Sequence, residues 1–108
     1  MIYLASPYTS PYASVRSTRF HAVRNYANLC MQRGETVISP IAYGHQFEIN
    51  YNTGVAFKYW KDLSERLILA SNEVRVLQLP GWKKSFGVAH EIEFAKHNGI
   101  KVTYADPV

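Results

Sequence analysis

The run Val74-Arg75-Val76-Leu77-Gln78-Leu79 is mostly apolar and is closed by Pro80-Gly81, with a helical pattern starting close behind it near Ser85. A short apolar run bounded by turn residues reads as a buried strand. Strand, glycine-containing turn and helix start in succession form half of a βαβ unit, which packs as a parallel sheet covered by helices. The rest of the chain repeats the alternation. Ile2–Ala5 reads as a first strand. A helix follows from Tyr12 to Gln32, with Val15, Ala22, Tyr26 and Leu29 at helical spacing and Gly34 as its stop. Thr36–Ser39 reads as a second strand closed by Pro40. Ile41 to Gly54 reads as a loop punctuated by Gly44, Asn50, Asn52 and Gly54, long enough to be functional or mobile. A helix is expected over Val55 to Ala70, a third over Ser85 to His97 with Gly99 just past its end, and a last strand over Lys101–Tyr104. The expected fold class is α/β: a small Rossmann- or flavodoxin-like three-layer sandwich with a parallel sheet of about four strands, one domain over residues 1–108.

The 108 residues suffice for a core without covalent staples. Cys30 is the single cysteine, which excludes an internal disulfide or a multi-cysteine zinc site and fits a reducing, cytoplasmic setting. The start, Met1 to Pro7, lacks the basic region and apolar length of a secretory signal, and no window has the length of a membrane span. A net charge of +4 suits phosphate-bearing partners and solubility equally. No basic stripe is interleaved with aromatics, which argues against a nucleic-acid surface.

Glu91 is the residue least explained by folding. On a wheel of about 100° per residue, Val88, Ile92 and Ala95 form the face that must pack on the sheet, and Glu91 falls at its edge. Glu93, His90 and His97 point toward solvent, where Glu93 can pair with His97. A carboxylate at a core edge costs desolvation unless it has partners. Ser85 stands at the helix N-cap, which by itself accounts for a serine there. Lys83, Lys84 and the Gly87 backbone also make it a phosphate contact in waiting. Ser6, Tyr8, Thr9 and Ser10 occupy the turn after the first strand, the position that lines the ligand crevice in such sheets. Arg16 and Arg19 open the next helix, where cations are unfavourable unless an anion joins them. By default Asp62 is a surface aspartate among Lys58, Lys61 and Arg66, and Tyr3 is a core tyrosine. His45 and His90 show no metal-binding spacing.

Three separated pieces resemble the nucleoside 2-deoxyribosyltransferase superfamily, which includes the 2'-deoxynucleoside 5'-monophosphate N-glycosidases. They are Ile2-Tyr3-Leu4-Ala5-Ser6, Trp60-Lys61-Asp62-Leu63 and Ser85-Phe86-Gly87-Val88-Ala89-His90-Glu91. The likeness extends to a small bacterial and phage branch through Leu4-Ala5-Ser6-Pro7-Tyr8, Ser39-Pro40-Ile41 followed by His45, and Leu79-Pro80-Gly81-Trp82 before Ser85 and Gly87. The resemblance implies cleavage of an N-glycosidic bond with Glu91 as nucleophile, Asp62 assisting the leaving base and Tyr3 orienting Glu91. Ser6, Tyr8, Arg19, His45, Ser85 and Gly87 would bind a nucleoside or nucleotide. It further implies no metal or organic cofactor, a homo-oligomer, and either hydrolysis or base transfer. The alternative is a catalytically inactive nucleotide-sensing or protein-binding module of the same fold.

Overall fold

The computed structural model describes residues 1–50 and 56–108. Four strands, β1 (Ile2–Ala5), β2 (Val37–Ile38), β3 (Glu73–Leu77) and β4 (Lys101–Ala105), form one sheet in the order β2-β1-β3-β4. Every pairing is parallel, with Ile2 opposite Val37 on one side and Glu73 on the other. Four α-helices connect or flank them: α1 (Ala13–Gln32), α2 (Pro40–Asn50), α3 (Phe57–Leu69) and α4 (Phe86–His97). Successive strand side chains point to opposite faces. Tyr3, Ala5, Val74 and Val76 therefore pack with Ile68 of α3 and with Val88 and Ala95 of α4. Leu4 and Leu77 pack with Val23, Tyr26, Ala27 and Cys30 of α1. Helices on both faces explain why the central strands are apolar almost throughout. The result is the expected three-layer α/β sandwich with an all-parallel four-stranded sheet. Among the described residues no helix is long and apolar enough to cross a membrane.

The segment expected to be a loop from Ile41 is instead a helix through Asn50. Ser39 leaves the sheet and caps it, its Oγ accepting from the Ala42 N–H at 3.1 Å, which also shortens β2 relative to the expected Thr36–Ser39. Pro40 is the first helical residue, where a missing N–H costs nothing. Gly44 is no turn residue. A Cβ there would lie 3.0 Å from the Trp60 ring, so this glycine lets α2 and α3 approach. The expected loop residues Tyr51 to Gly54, and Val55 as a helix start, fall outside the described residues, and α3 is seen from Phe57.

Candidate active site

The strand order reverses between β1 and β3, because the chain leaves β1 for β2 on one side and returns to β3 on the other. Ligands bind at such a point, beyond the carboxyl ends of the strands. A pocket of ≈950 Å³ opens there. Its floor comes from the segment after β1, including Ser6, Pro7 and Tyr8. One wall comes from α1 and α2 through Arg16, Arg19, Gly44, His45 and Glu48. The other comes from α3 and α4 through Phe57, Trp60, Ser64, Gly87 and Glu91.

Glu91 is partly buried at the inner end of this second wall. The Tyr3 phenol, reaching up from the centre of β1, donates a hydrogen bond to its carboxylate. Ser64 of α3 lines the same wall. Burial raises Glu91 to about pKa 7, and the hydroxyls of Tyr3 and Ser64 only partly counter it. Tyr3 is pushed well above its ordinary value, first by burial and then by the adjacent Glu91 charge, so it stays a protonated donor. Near neutral pH the site thus holds a carboxylate poised between its two forms, bonded by the Tyr3 hydroxyl and, among the described residues, paired with no cation.

The opposite wall is built around His45. It is buried, and Phe20 stacks on its ring with centroids 4.2 Å apart. Burial lowers its pKa, and the charges of His21 and Arg16 lower it further, so the ring is neutral at pH 7. Tyr8 is shifted upward by burial and by Glu48, and its hydroxyl shares a hydrogen bond with His45 Nδ1 at 2.6 Å. The cationic side of the pocket is Arg16, Arg19 and Lys84, none of which has a carboxylate within ion-pair distance among the described residues. Arg19 spends two donors on the carbonyls of Thr9 (3.0 Å) and Pro80 (3.5 Å), tying the two loops that frame the opening. Gly81 turns there at φ +89°, and a Cβ on it would press on the Arg19 guanidinium at 3.0 Å. Ser6, only 6 % exposed, has a buried Oγ without a hydrogen-bond partner among the described residues, although it lines the pocket. A buried hydroxyl left unpaired is costly unless something fills the space.

Of the expected site residues, Tyr3, Ser6, Tyr8, Arg19, His45, Ser85, Gly87 and Glu91 all line this one pocket. Asp62 does not. It lies two residues before Ser64, about 160° around α3, and its half-exposed carboxylate pairs with Lys58 at 2.8 Å. The motif match brought it forward, whereas the surface reading describes where it sits. His90 is likewise not turned to free solvent, since its Nε2 meets Glu65 of α3 at 2.7 Å. Ser85 caps α4 by accepting from the Val88 N–H at 3.2 Å while also facing the pocket. Ser64 and Glu48 escaped the sequence reading. The stripe Phe57, Trp60, Ser64 at helical spacing was the available signal for the first, and the misread helix hid the second. Among the described residues no group of three or more His, Cys, Asp and Glu side chains could hold a metal ion.

Gly87 carries a specific expectation. It sits in the first turn of α4, where a Cβ would have only Ser85 Oγ near it, at 3.9 Å, and would otherwise project into the pocket. Packing does not require a glycine here, and a helix disfavours one. Gly87→Ala is expected to raise unfolding stability in urea by about 0.5 kcal/mol. Any ligand that this pocket seats against the α4 backbone should bind the same variant more weakly by calorimetry. Unchanged affinity would show that ligands do not approach the α4 backbone.

Comparison with protein families gives a match over residues 1–106 to the family described as Domain of unknown function (DUF1937), and the chain belongs to that family. No curated protein matches it.

Proposed function

We propose that this protein cleaves the N-glycosidic bond of a 2'-deoxynucleoside or its 5'-monophosphate, with Glu91 as nucleophile. The observation that carries this reading is the Glu91 carboxylate itself: partly buried, bonded by Tyr3, without an ion-pair partner among the described residues, and set against the pocket at about pKa 7. In its ionised form a Glu91 oxygen attacks the anomeric carbon. The C–O bond of a glycosyl ester forms as the C–N bond breaks, and the electron pair of the broken bond leaves on the base nitrogen, which takes up a proton. Water then displaces the ester, giving free sugar and returning the carboxylate. If a second base displaces it instead, the reaction is a transfer. Tyr3 holds the carboxylate through both stages.

Asp62 is paired with Lys58 outside the pocket and His45 is neutral, so water in the pocket supplies the proton to the leaving base. Arg16, Arg19, Lys84 and the unpaired Ser6 hydroxyl suit an anion such as a 5'-phosphate. The exposed rings of Phe57 and Phe86 at the rim suit a planar base.

A second reading is favoured by the position of Asp62 outside the pocket: a domain that binds nucleotides without turning them over. Purified protein incubated with a panel of deoxynucleosides and their monophosphates separates the two. Free base detected by chromatography is the expected result. Binding by calorimetry with no base released or exchanged across the panel would replace the enzymatic reading with the second, and neither binding nor release would sink both.

A further inference from the structure

The pocket holds charges of both signs and pairs none of them with one another. Arg16, Arg19 and Lys84 line it, and so do the carboxylates of Glu48 and Glu91. Among the described residues, none of these five side chains lies within ion-pair distance of an opposite charge. Elsewhere in the fold Asp62 pairs with Lys58, Glu65 with Lys61, and both Glu35 and Glu73 with Arg75, all at 3.4 Å or less. A carboxylate as enclosed as Glu91 is costly without a cation beside it. Opposite charges held apart around one cavity complement a ligand that itself carries both signs.

The placement of the signs narrows that ligand. Glu91 stands on the α3–α4 wall, where Phe57, Trp60 and Phe86 also line the pocket. Aromatic faces and a carboxylate on one wall suit a flat cation. Arg16 and Arg19 come from α1 on the far wall, and the buried Ser6 hydroxyl on the floor has no partner among the described residues. These suit a phosphate.

We propose that this pocket is built for a zwitterionic nucleotide: an N-glycoside of a cationic aromatic base of the pyridinium kind, carrying an anionic 5'-phosphate. The fate of the ligand rests on the glycosidase reading, which the proposal narrows to bases that leave without taking up a proton. As a Glu91 oxygen bonds to the anomeric carbon, the C–N bond breaks and its electron pair cancels the positive charge of the ring nitrogen. The base departs as a neutral pyridine. Water then bonds to the anomeric carbon as the ester C–O bond breaks, and its proton passes to solvent. No step requires an acid. That agrees with Asp62 turned out to Lys58, His45 neutral, and Tyr8 engaged with His45.

The experiment uses nicotinamide 2'-deoxyriboside 5'-monophosphate, its reduced and uncharged dihydro form, and thymidine 5'-monophosphate, at pH 8, above the Glu91 value of about 7. By calorimetry the charged pyridinium form is expected to bind at least about tenfold more tightly than the dihydro form, the worth of one modest charge contact. Glu91→Gln should narrow that preference. Glu48→Gln, at an exposed position, should narrow it too and keeps the test open if the first variant does not fold. By chromatography kcat/KM for nicotinamide release should exceed that for thymine release by about a hundredfold or more, the usual worth of a general acid. Equal binding of the charged and dihydro forms, or no binding of either, would overturn the proposal. Thymine released as fast as nicotinamide would overturn it while leaving the glycosidase reading in place. Preferential binding of the charged form with no base released would uphold the zwitterion site and remove the glycosidase reading.

Discussion

Glu91→Gln is expected to abolish base release and, above neutral pH, to make the protein more stable. The first effect follows from the loss of the oxygen proposed to attack, and the residual rate should fall at least about a thousandfold. The second follows from the direction of the Glu91 shift. Burial raises its folded-state value from 4.5 to about 7. A group with a raised folded pKa contributes stability that is fully present below its unfolded value and lost as pH rises through the folded one. The cost of keeping Glu91 ionised is therefore absent at pH 4 and complete above pH 7, where it amounts to about 3 kcal/mol at most. Glutamine keeps the shape and can still accept from Tyr3, but it has no charge to bury. Thermal melts should show equal Tm values for the two proteins near pH 4 and an advantage of several degrees for the variant at pH 8. A residue whose removal stabilises the fold while ending activity is held there for function. Equal Tm values at both pH values would return Glu91 to an ordinary surface carboxylate. The rate of base release in the wild type should rise with pH through about 7 as Glu91 ionises.

The fold was legible because its signals are local. Each strand is a short apolar run followed by turn residues, and the facing of Glu91 follows from Val88, Ile92 and Ala95 within the same helix. The same wheel applied to α3 would have turned Asp62 away from the stripe Phe57, Trp60 and Ser64. A motif match decided that residue instead, and motif register is insensitive to helical facing. Ser39-Pro40 is ambiguous on sequence alone, since proline closes a strand as readily as it opens a helix. Gly44 looked like a breaker because its reason, the Trp60 ring, lies on another helix. The pairing of His45 with Tyr8 and Phe20 was illegible for the same cause: α1, α2 and the loop after β1 meet only in the folded chain.

Arg75 shows the limit of local signals most fully, and replacing it carries the largest expected cost in stability. It sits inside the apolar run of β3 on the α1 face, in register with Leu4 of β1. Its guanidinium makes a two-pronged contact with Glu35, at 3.1 and 2.9 Å, and Nε binds Glu73 at 3.0 Å. Tyr26 accepts from it at 3.3 Å. Glu73 also accepts from Thr103 at 2.5 Å and pairs with Lys101 at 3.7 Å. Arg75→Met keeps an aliphatic stem but strips Glu73, whose side chain is 13 % exposed, of its closest cation. Removing one partner of such a pair leaves a poorly solvated charge and is expected to cost about 3 kcal/mol in urea unfolding. Adding Glu73→Gln to Arg75→Met should recover part of that loss by removing the stranded charge, and no recovery would mean that packing of the Arg75 stem, not the ion network, carries the cost. The pH dependence gives an independent check. The Arg75 hydrogen bonds hold Glu35 below 4.5. Burial pushes Glu73 upward, but its bonds from Thr103 and Arg75 outweigh that and leave it low as well. Groups with depressed folded values contribute stability that is present above 4.5 and lost as pH falls through those lower values. Arg75→Met should therefore lose less on acidification than the wild type. Glu91 acts with the opposite sign, destabilising the fold as pH rises toward 7. The wild-type protein is thus expected to be most stable at about pH 5. In Glu91→Gln that maximum should broaden toward pH 8, because the loss on its alkaline side is gone, and a wild-type maximum above pH 7 would contradict the Glu91 assignment.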